Sequence, residues 1–116
     1  METRYTEKLS TLEHRLLHGP GTTESEVRRS VASGDRMNDP LVDAYLEKIR
    51  NHAYKIVERD IAELKAAGWD EDQIFEISIC TAFGAARQRL DAGLRAVELA
   101  RSTAGPPQSG PSERSE

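Results

Sequence analysis

The sequence predicts an all-α fold, a single domain of about five helices with a disordered C-terminal tail. Apolar residues recur at steps of three and four along most of the chain, as they do on one face of a helix. β-branched residues are sparse and rarely alternate, which disfavours a sheet. Only 5% of the 116 residues are aromatic, so aliphatic side chains and alanine must fill the core, as they do between packed helices.

The first two predicted helices are separated by a strong break. Residues 6–18 place leucines at helical spacing, and a Gly-Pro-Gly segment follows as a stop signal. The second helix covers residues 24–33, with Thr23 and Glu26 at the spacing of a capping box. Two valines form the thin apolar edge of this helix, and we therefore expect it on the surface.

The third and fourth helices are predicted over residues 40–51 and 53–67. Asp39 and Pro40 give a start signal, because proline suits the first helical turn. The pattern leaves open whether one helix or two cover residues 40–67, with a weak point at His52. On a helical wheel the apolar residues of both segments share one face. This apolar stripe comprises Val42, Leu46, Ile49, Ala53, Ile56, Val57 and Leu64.

The last predicted helix covers residues 71–101 and follows a compact turn. Gly68 is a typical residue for ending a helix, and Trp69 is the expected hydrophobic anchor after it. Asp70 is a favourable N-cap for the new helix. Residues 102–116 are rich in proline, glycine and serine and offer no apolar anchor, which predicts disorder.

Composition narrows the function classes for the helical domain, residues 1–101. The net charge is −4 and the basic residues are scattered, so neither nucleic acid nor a membrane is expected as a partner. No apolar run approaches the length of a membrane span, and the N-terminus lacks the apolar segment of a signal peptide. We therefore expect a cytoplasmic protein.

One stretch carries a family resemblance. It combines a helix that ends at a glycine, an acidic cap and an alanine-rich helix, in the sequence ERDIAELKAAGWDEDQIFEISICTAFGAARQRLDAGLRAV. With the residues before it, from about Leu41 to Val97, it resembles the alkylhydroperoxidase D and carboxymuconolactone decarboxylase superfamily. The resemblance implies an all-α subunit that assembles into a homo-oligomer.

The redox motif of that superfamily is missing. Its peroxidase branch carries Cys-x-x-Cys-x-x-x-His, and the matching positions here, counted back from Gly68, are Ala53, Ile56 and Asp60. A dithiol mechanism needs a reactive thiolate, a resolving thiol and a proton carrier. Cys80 is alone on another helix, and we expect it to be a small buried hydrophobe. A dithiol peroxidase activity is therefore excluded.

Asp60 is the leading catalytic candidate, with His52 and Tyr54 beside it. The wheel places Asp60 within the apolar stripe, where a carboxylate must be paired, hydrogen-bonded or protonated. One interpretation is a general acid or base with a raised pKa. The other is a structural salt bridge, for which Arg87 and Arg89 are the expected partners.

Two function classes follow from these observations. The first is an oligomeric binding or scaffold protein without redox chemistry. The alternative is a non-redox acid–base enzyme of the lyase or decarboxylase type, which would use Asp60 and His52 in a pocket between subunits. A small-molecule ligand is compatible with both. No cofactor and no metal site is predicted, because His14 and His18 are too few ligands for a structural zinc site.

Overall fold

The computed structural model describes the backbone of residues 4–104 and the side chains of residues 6–103. Within this range the fold is all-α and contains no strand, which confirms the predicted class. A 3-10 helix, Ala53–Lys55, lies between the third and fourth α-helices. The five α-helices are α1 (Arg4–His18), α2 (Ser25–Ser33), α3 (Pro40–Asn51), α4 (Glu58–Ala66) and α5 (Glu71–Ala104).

The C-terminal boundary differs from the prediction. Helix α5 includes residues 102–104, which the composition assigned to the tail. The remaining residues of the predicted tail, 105–116, lie outside the described residues. The hydroxyls of Ser102 and Thr103 are satisfied within the helix, since both donate to the Leu99 carbonyl in the preceding turn.

The described residues divide into two units, residues 4–86 and residues 87–104. The first unit contains the hydrophobic core. Helices α3 and α5 each contribute three buried residues to this core, and α1, α2 and α4 contribute one each. The second unit is helical in its described part. The buried core residues are Leu17, Val31, Val42, Tyr45, Leu46, Leu64, Ile74, Ile77 and Cys80.

Helix α2 is more deeply packed than the sequence predicted. Val31 is fully buried and Arg28 is nearly so, which makes the expected surface position wrong. The expected capping box is also absent, because Thr23 bonds to Glu76 on α5 rather than to the start of α2. A long-range carboxylate has thus replaced the local cap.

Close packing of α2 on α5 depends on a glycine. Gly84 faces the backbone of Ala32, and a Cβ atom at position 84 would overlap the Ala32 carbonyl group. Only glycine allows two backbones to approach this closely. Gly84 therefore sets the separation of the two helices.

The segment between α3 and α4 is broken. Helix α3 begins as predicted, with the Asp39 carboxylate accepting hydrogen bonds from the first amides and Pro40 in the first turn. Helix α4 begins only at Glu58, so the prediction of a helix from residue 53 was wrong. Ile56 and Val57, both β-branched, adopt extended backbone conformations between the 3-10 helix and α4.

This break interrupts the helical periodicity that the wheel assumed for residues 40–67. Val42, Leu46 and Leu64 are fully buried as expected. Ala53 and Val57, assigned to the same stripe, are exposed. The stripe is therefore correct within each helix and fails across the connection.

The turn into α5 follows the prediction. Gly68 has a φ of 108°, the left-handed conformation that favours glycine, and Trp69 packs against the core. Asp70 Oδ1 accepts a hydrogen bond from the Gln73 amide at 2.8 Å, and Gln73 Oε1 accepts one from the Asp70 amide at 3.1 Å. This reciprocal pair is a capping box and starts α5 at Glu71.

Candidate functional site

Asp60 lies in the first turn of α4, and both of its carboxylate oxygens accept hydrogen bonds. Lys48 Nζ donates to Oδ1 at 2.9 Å, and the backbone N–H of Val57 donates to Oδ2 at 2.9 Å. The ion-pair partner is therefore Lys48 on α3, where the sequence predicted Arg87 or Arg89. The helical wheel that placed Asp60 in the apolar stripe treated residues 40–67 as one continuous helix, and the break between α3 and α4 brings Asp60 to Lys48 instead.

The pKa of Asp60 lies below its ordinary value. The hydrogen bond from the Val57 amide is the main cause, the hydrogen bond from Lys48 adds to it, and burial opposes both. The raised pKa that the acid–base interpretation required is therefore not found, and the alternative interpretation, an ion pair, is present with Lys48 as the partner. A carboxylate with a lowered pKa stays ionised at neutral pH and is a poor proton donor and a weak base. This geometry suits helix capping and does not suit acid–base catalysis.

The other two catalytic candidates lie at the 3-10 helix. The rings of His52 and Tyr54 are 6.1 Å apart, and Tyr54 is 81% exposed. Among the described residues, the hydrogen bonds of the Asp60 side chain are those from Lys48 and Val57. The structure thus brings His52 and Tyr54 near each other and does not join either of them to Asp60 by a hydrogen bond.

A buried arginine that the sequence did not single out organises the start of the chain. Arg28 donates hydrogen bonds to the carbonyl oxygens of Leu16 at 2.8 Å, Gly19 at 2.6 Å and Thr23 at 3.3 Å. Leu16 lies in the last turn of α1, where the helix dipole is negative, and Gly19 and Thr23 lie in the connection to α2. The signal for Arg28 was its position beside Val27 and one turn before Val31, on the apolar edge of α2.

Cys80 packs beside this arginine in the core. Its side chain is 1% exposed, and its Sγ lies 3.5 Å from the Leu16 carbonyl oxygen, which also accepts from Arg28. Burial raises the pKa of the thiol, although the positive charge of Arg28 opposes that effect. A thiol of this kind is protonated at neutral pH and unreactive. The prediction of a buried structural cysteine is confirmed.

Glu76 holds the connection between α1 and α2 against α5. Its two carboxylate oxygens accept four hydrogen bonds, one from the amide and one from the hydroxyl of each of Thr22 and Thr23, at 2.6–3.0 Å. Burial raises the pKa of Glu76, but these hydrogen bonds outweigh it and lower the pKa to about 2. The four donors surround the Glu76 carboxylate as they would surround a bound anion.

An open cleft of about 840 Å³ lies over the start of α3. It is lined by both signs of charge. Its carboxylates already serve the fold, since Asp39 caps α3 and Asp43 accepts a hydrogen bond from the Met37 amide at 2.7 Å. The predicted small-molecule ligand stays a prediction.

Residues 87–104 present a different kind of surface. Leu90, Leu94 and Val97 are 41%, 42% and 48% exposed. At 100° per residue they fall within about 60° of one another on the helix, and we call them the apolar row. Leu99, 63% exposed, lies on the opposite face. All described side chains from residue 92 onward are exposed.

The chain matches no family model, no curated protein and no solved structure. Among the described helices, none has the length and apolar character needed to cross a membrane. Within residues 6–103, no three side chains of the metal-binding types are grouped to hold an ion. The function is therefore inferred from the contacts and surfaces described above.

Proposed function

We propose that the protein is a non-catalytic scaffold or binding protein that assembles with further copies of itself through the apolar row. The exposure of Leu90, Leu94 and Val97 carries this proposal. A helix gains most of its stability by burying one face against other structure. A row of large aliphatic side chains on an otherwise charged helix is the pattern of a surface that packs on a partner.

A second copy is the occupant that the charges favour. The side of the helix next to the apolar row carries both signs of charge, with Arg87 close to Asp91 and Glu98. A partner of one strong charge would meet like charges somewhere along this side. A second copy carries the same mixture of charges, so that an arginine of one copy can lie opposite an acidic residue of the other.

Catalysis finds no support in the same residues. Asp60 has a lowered pKa, and the Cys80 thiol is buried with a raised pKa. The acid–base alternative would need a proton donor or acceptor near neutrality at a site open to substrate. Among the described residues, the Asp60 carboxylate is bound by Lys48 and Val57, and no hydrogen bond joins it to His52 or Tyr54.

Membership in the alkylhydroperoxidase D and carboxymuconolactone decarboxylase superfamily is also a proposal. The turn at Gly68 and the acidic cap at Asp70 support it, because they reproduce the helix–turn–helix that the resemblance implies. We extend the proposal to a member that has lost the redox dithiol and kept the tendency to associate. A cytoplasmic location goes with it.

The mass of the protein in solution tests the assembly. Sedimentation equilibrium over a wide range of concentrations should show reversible association of the wild type. Leu94→Asp should weaken association by at least about 100-fold, since a two-fold contact loses two buried leucines. The matched control is Leu99→Asp, on the opposite face of the same helix, which should associate like the wild type. A wild type that is monomeric throughout would contradict the proposal.

An activity assay tests the absence of catalysis. With an alkyl hydroperoxide and a dithiol reductant, we expect no turnover above the protein-free rate. Turnover that disappears in Cys80→Ser would overturn the proposal, because it would show that the buried thiol is reached by substrate.

A further inference from the structure

We infer that residues 87–104 of two copies pack against each other in antiparallel orientation, with the two-fold axis beside Gly93. This inference rests on the proposed assembly and specifies which segment of the second copy covers the apolar row. It follows from the order of charged, large and small residues along the helix. The segment is 18 residues long, about 27 Å at 1.5 Å per residue.

The charges fix the orientation. Arg87 and Glu98 lie on the same side of the apolar row, at about 60° and 80° from Leu90. In an antiparallel pair related by a two-fold axis, the same side of each helix flanks the contact. In one register of this pair, Arg87 of one copy lies level with Glu98 of the second copy along the helix axis. The two-fold symmetry repeats this pair of opposite charges. A parallel pair would instead place Glu98 beside Ala96 and Ala100 of the second copy.

The same register places small and large side chains in suitable positions. When Arg87 of one copy lies level with Glu98 of the second copy, the two-fold axis passes between the levels of Ala92 and Gly93. The Gly93 residues of the two copies then lie near the centre of the contact. No atom lies within 4 Å of where a Cβ of Gly93 would stand, so this glycine is not required by the chain's own packing. Helices can then approach to the short end of their usual separation, about 8 Å.

The side chains of the two apolar rows pack against each other across this centre. In the same register Leu90 lies within about one residue, or 1.5 Å along the axis, of Leu94 of the second copy, and within about 3 Å of Val97. Each leucine therefore packs on side chains of the other copy. The contact is isologous, as expected for a homodimer.

The intrahelical contact of Arg87 does not oppose this arrangement. Arg87 Nε donates to Asp91 Oδ1 at 3.3 Å, a partly exposed pair, and Arg87 makes a further interaction within the chain. A guanidinium has five N–H donors and can bind two carboxylates at once. The Asp91 contact holds the guanidinium on the side of the helix where Glu98 of the second copy would lie.

Disulfide trapping in the full-length chain tests the register. Each variant carries Cys80→Ser, so that the introduced cysteine is the only thiol. A mixture of Leu90→Cys and Val97→Cys proteins should form a disulfide between the two variants on mild oxidation. Val97→Cys alone should not, because the two copies of position 97 would be about 13 Å apart along the axis, beyond the reach of a disulfide.

A charge exchange gives an independent measurement. Arg87→Glu and Glu98→Arg should each weaken association by about 10-fold, and the double variant should recover most of the wild-type affinity, because the exchange restores both pairs. Loss in the single variants without recovery in the double variant would contradict the pairing. Helix content measured by circular dichroism identifies a variant that has lost its fold.

The outcomes separate this inference from the proposed function. A dimer in which Val97→Cys alone forms a disulfide is parallel, which overturns the inference and leaves the assembly intact. A dimer that yields neither disulfide has its contact elsewhere, which also overturns the inference. A protein that stays monomeric overturns both.

Discussion

In residues 6–86 most large aliphatic side chains are buried or half-buried, although Leu12, Val57 and Ile79 are exposed, and the buried Arg28 is bound by backbone carbonyls. In residues 87–103 the large aliphatic side chains are all exposed, and charged groups lie at the surface beside them. The first region has therefore covered most of its hydrophobic surface within one chain. The second region has the composition of a helix that is completed by a partner.

The two regions also use glycine differently. Gly84 is needed where α2 meets α5, because the Ala32 backbone occupies the space of a side chain. Gly93 has open space around it in the single chain. The same residue type thus marks an existing contact in one region and, in our proposal, an intermolecular contact in the other.

The largest expected effect comes from this pair of glycines. Gly84→Ala should lower the free energy of unfolding by about 3 kcal/mol, the upper end for overpacking, because the clash is with backbone. Gly93→Ala should raise it by about 1 kcal/mol through better helix propensity. Urea denaturation at low protein concentration measures both. Equal effects of the two substitutions would remove the contrast between the regions.

Replacing the buried Arg28 should lower the free energy of unfolding by nearly as much as Gly84→Ala does. Arg28→Met leaves the carbonyls of Leu16, Gly19 and Thr23 without this donor, and we expect a loss of about 2–3 kcal/mol in the free energy of unfolding. Arg29→Met, at the exposed neighbouring position, should change it by less than about 0.5 kcal/mol. A stable Arg28→Met protein would mean that water satisfies these carbonyls equally well.

Glu76 predicts how stability depends on pH. Its pKa is lowered in the folded protein to about 2 from an ordinary value of 4.5, so the unfolded chain binds the proton more readily. The stabilisation is complete above about pH 4.5 and is lost as pH falls toward 2, and we expect it to be about 2 kcal/mol.

The variant Glu76→Gln isolates that contribution. It should be less stable at neutral pH and should show a flatter stability profile between pH 4.5 and 2. Glu63→Gln, at an exposed position on α4, should keep the wild-type profile. If both variants keep the wild-type slope, other carboxylates are responsible for the acid sensitivity.

The smallest expected effect concerns Asp60. Asp60→Asn removes the charge from a partly exposed pair and weakens the cap of α4, and we expect a loss of about 1 kcal/mol. Thermal unfolding at neutral pH measures it. A loss above about 3 kcal/mol would show that the carboxylate holds more of the fold than its two hydrogen bonds indicate.

Local signals in the sequence predicted much of the fold. The starts of α3 at Pro40 and of α5 at Glu71 depend on caps within three residues, and the turn at Gly68 depends on a left-handed glycine. Neighbouring residues determine such features, so they are visible in the sequence. The buried position of Cys80 follows from its apolar neighbours in the same way.

Contacts between distant residues were not predictable. The threonines that bind Glu76 are 53 and 54 residues away from it, and Arg28 binds the Leu16 carbonyl of α1, 12 residues away. The environment of Asp60 was misjudged because one 3-10 turn changes the direction of every later side chain. Periodicity describes one helix at a time and carries no information across such a break.

Amide hydrogen exchange, followed by mass spectrometry at a low and a high protein concentration, compares the two regions most directly. We predict that amides of residues 87–104 exchange quickly at low concentration and become protected at high concentration, because association covers the apolar row. Amides of the buried parts of residues 4–86 should be protected equally at both. Protection of residues 87–104 that does not change with concentration would contradict the division between a self-contained region and an assembling one.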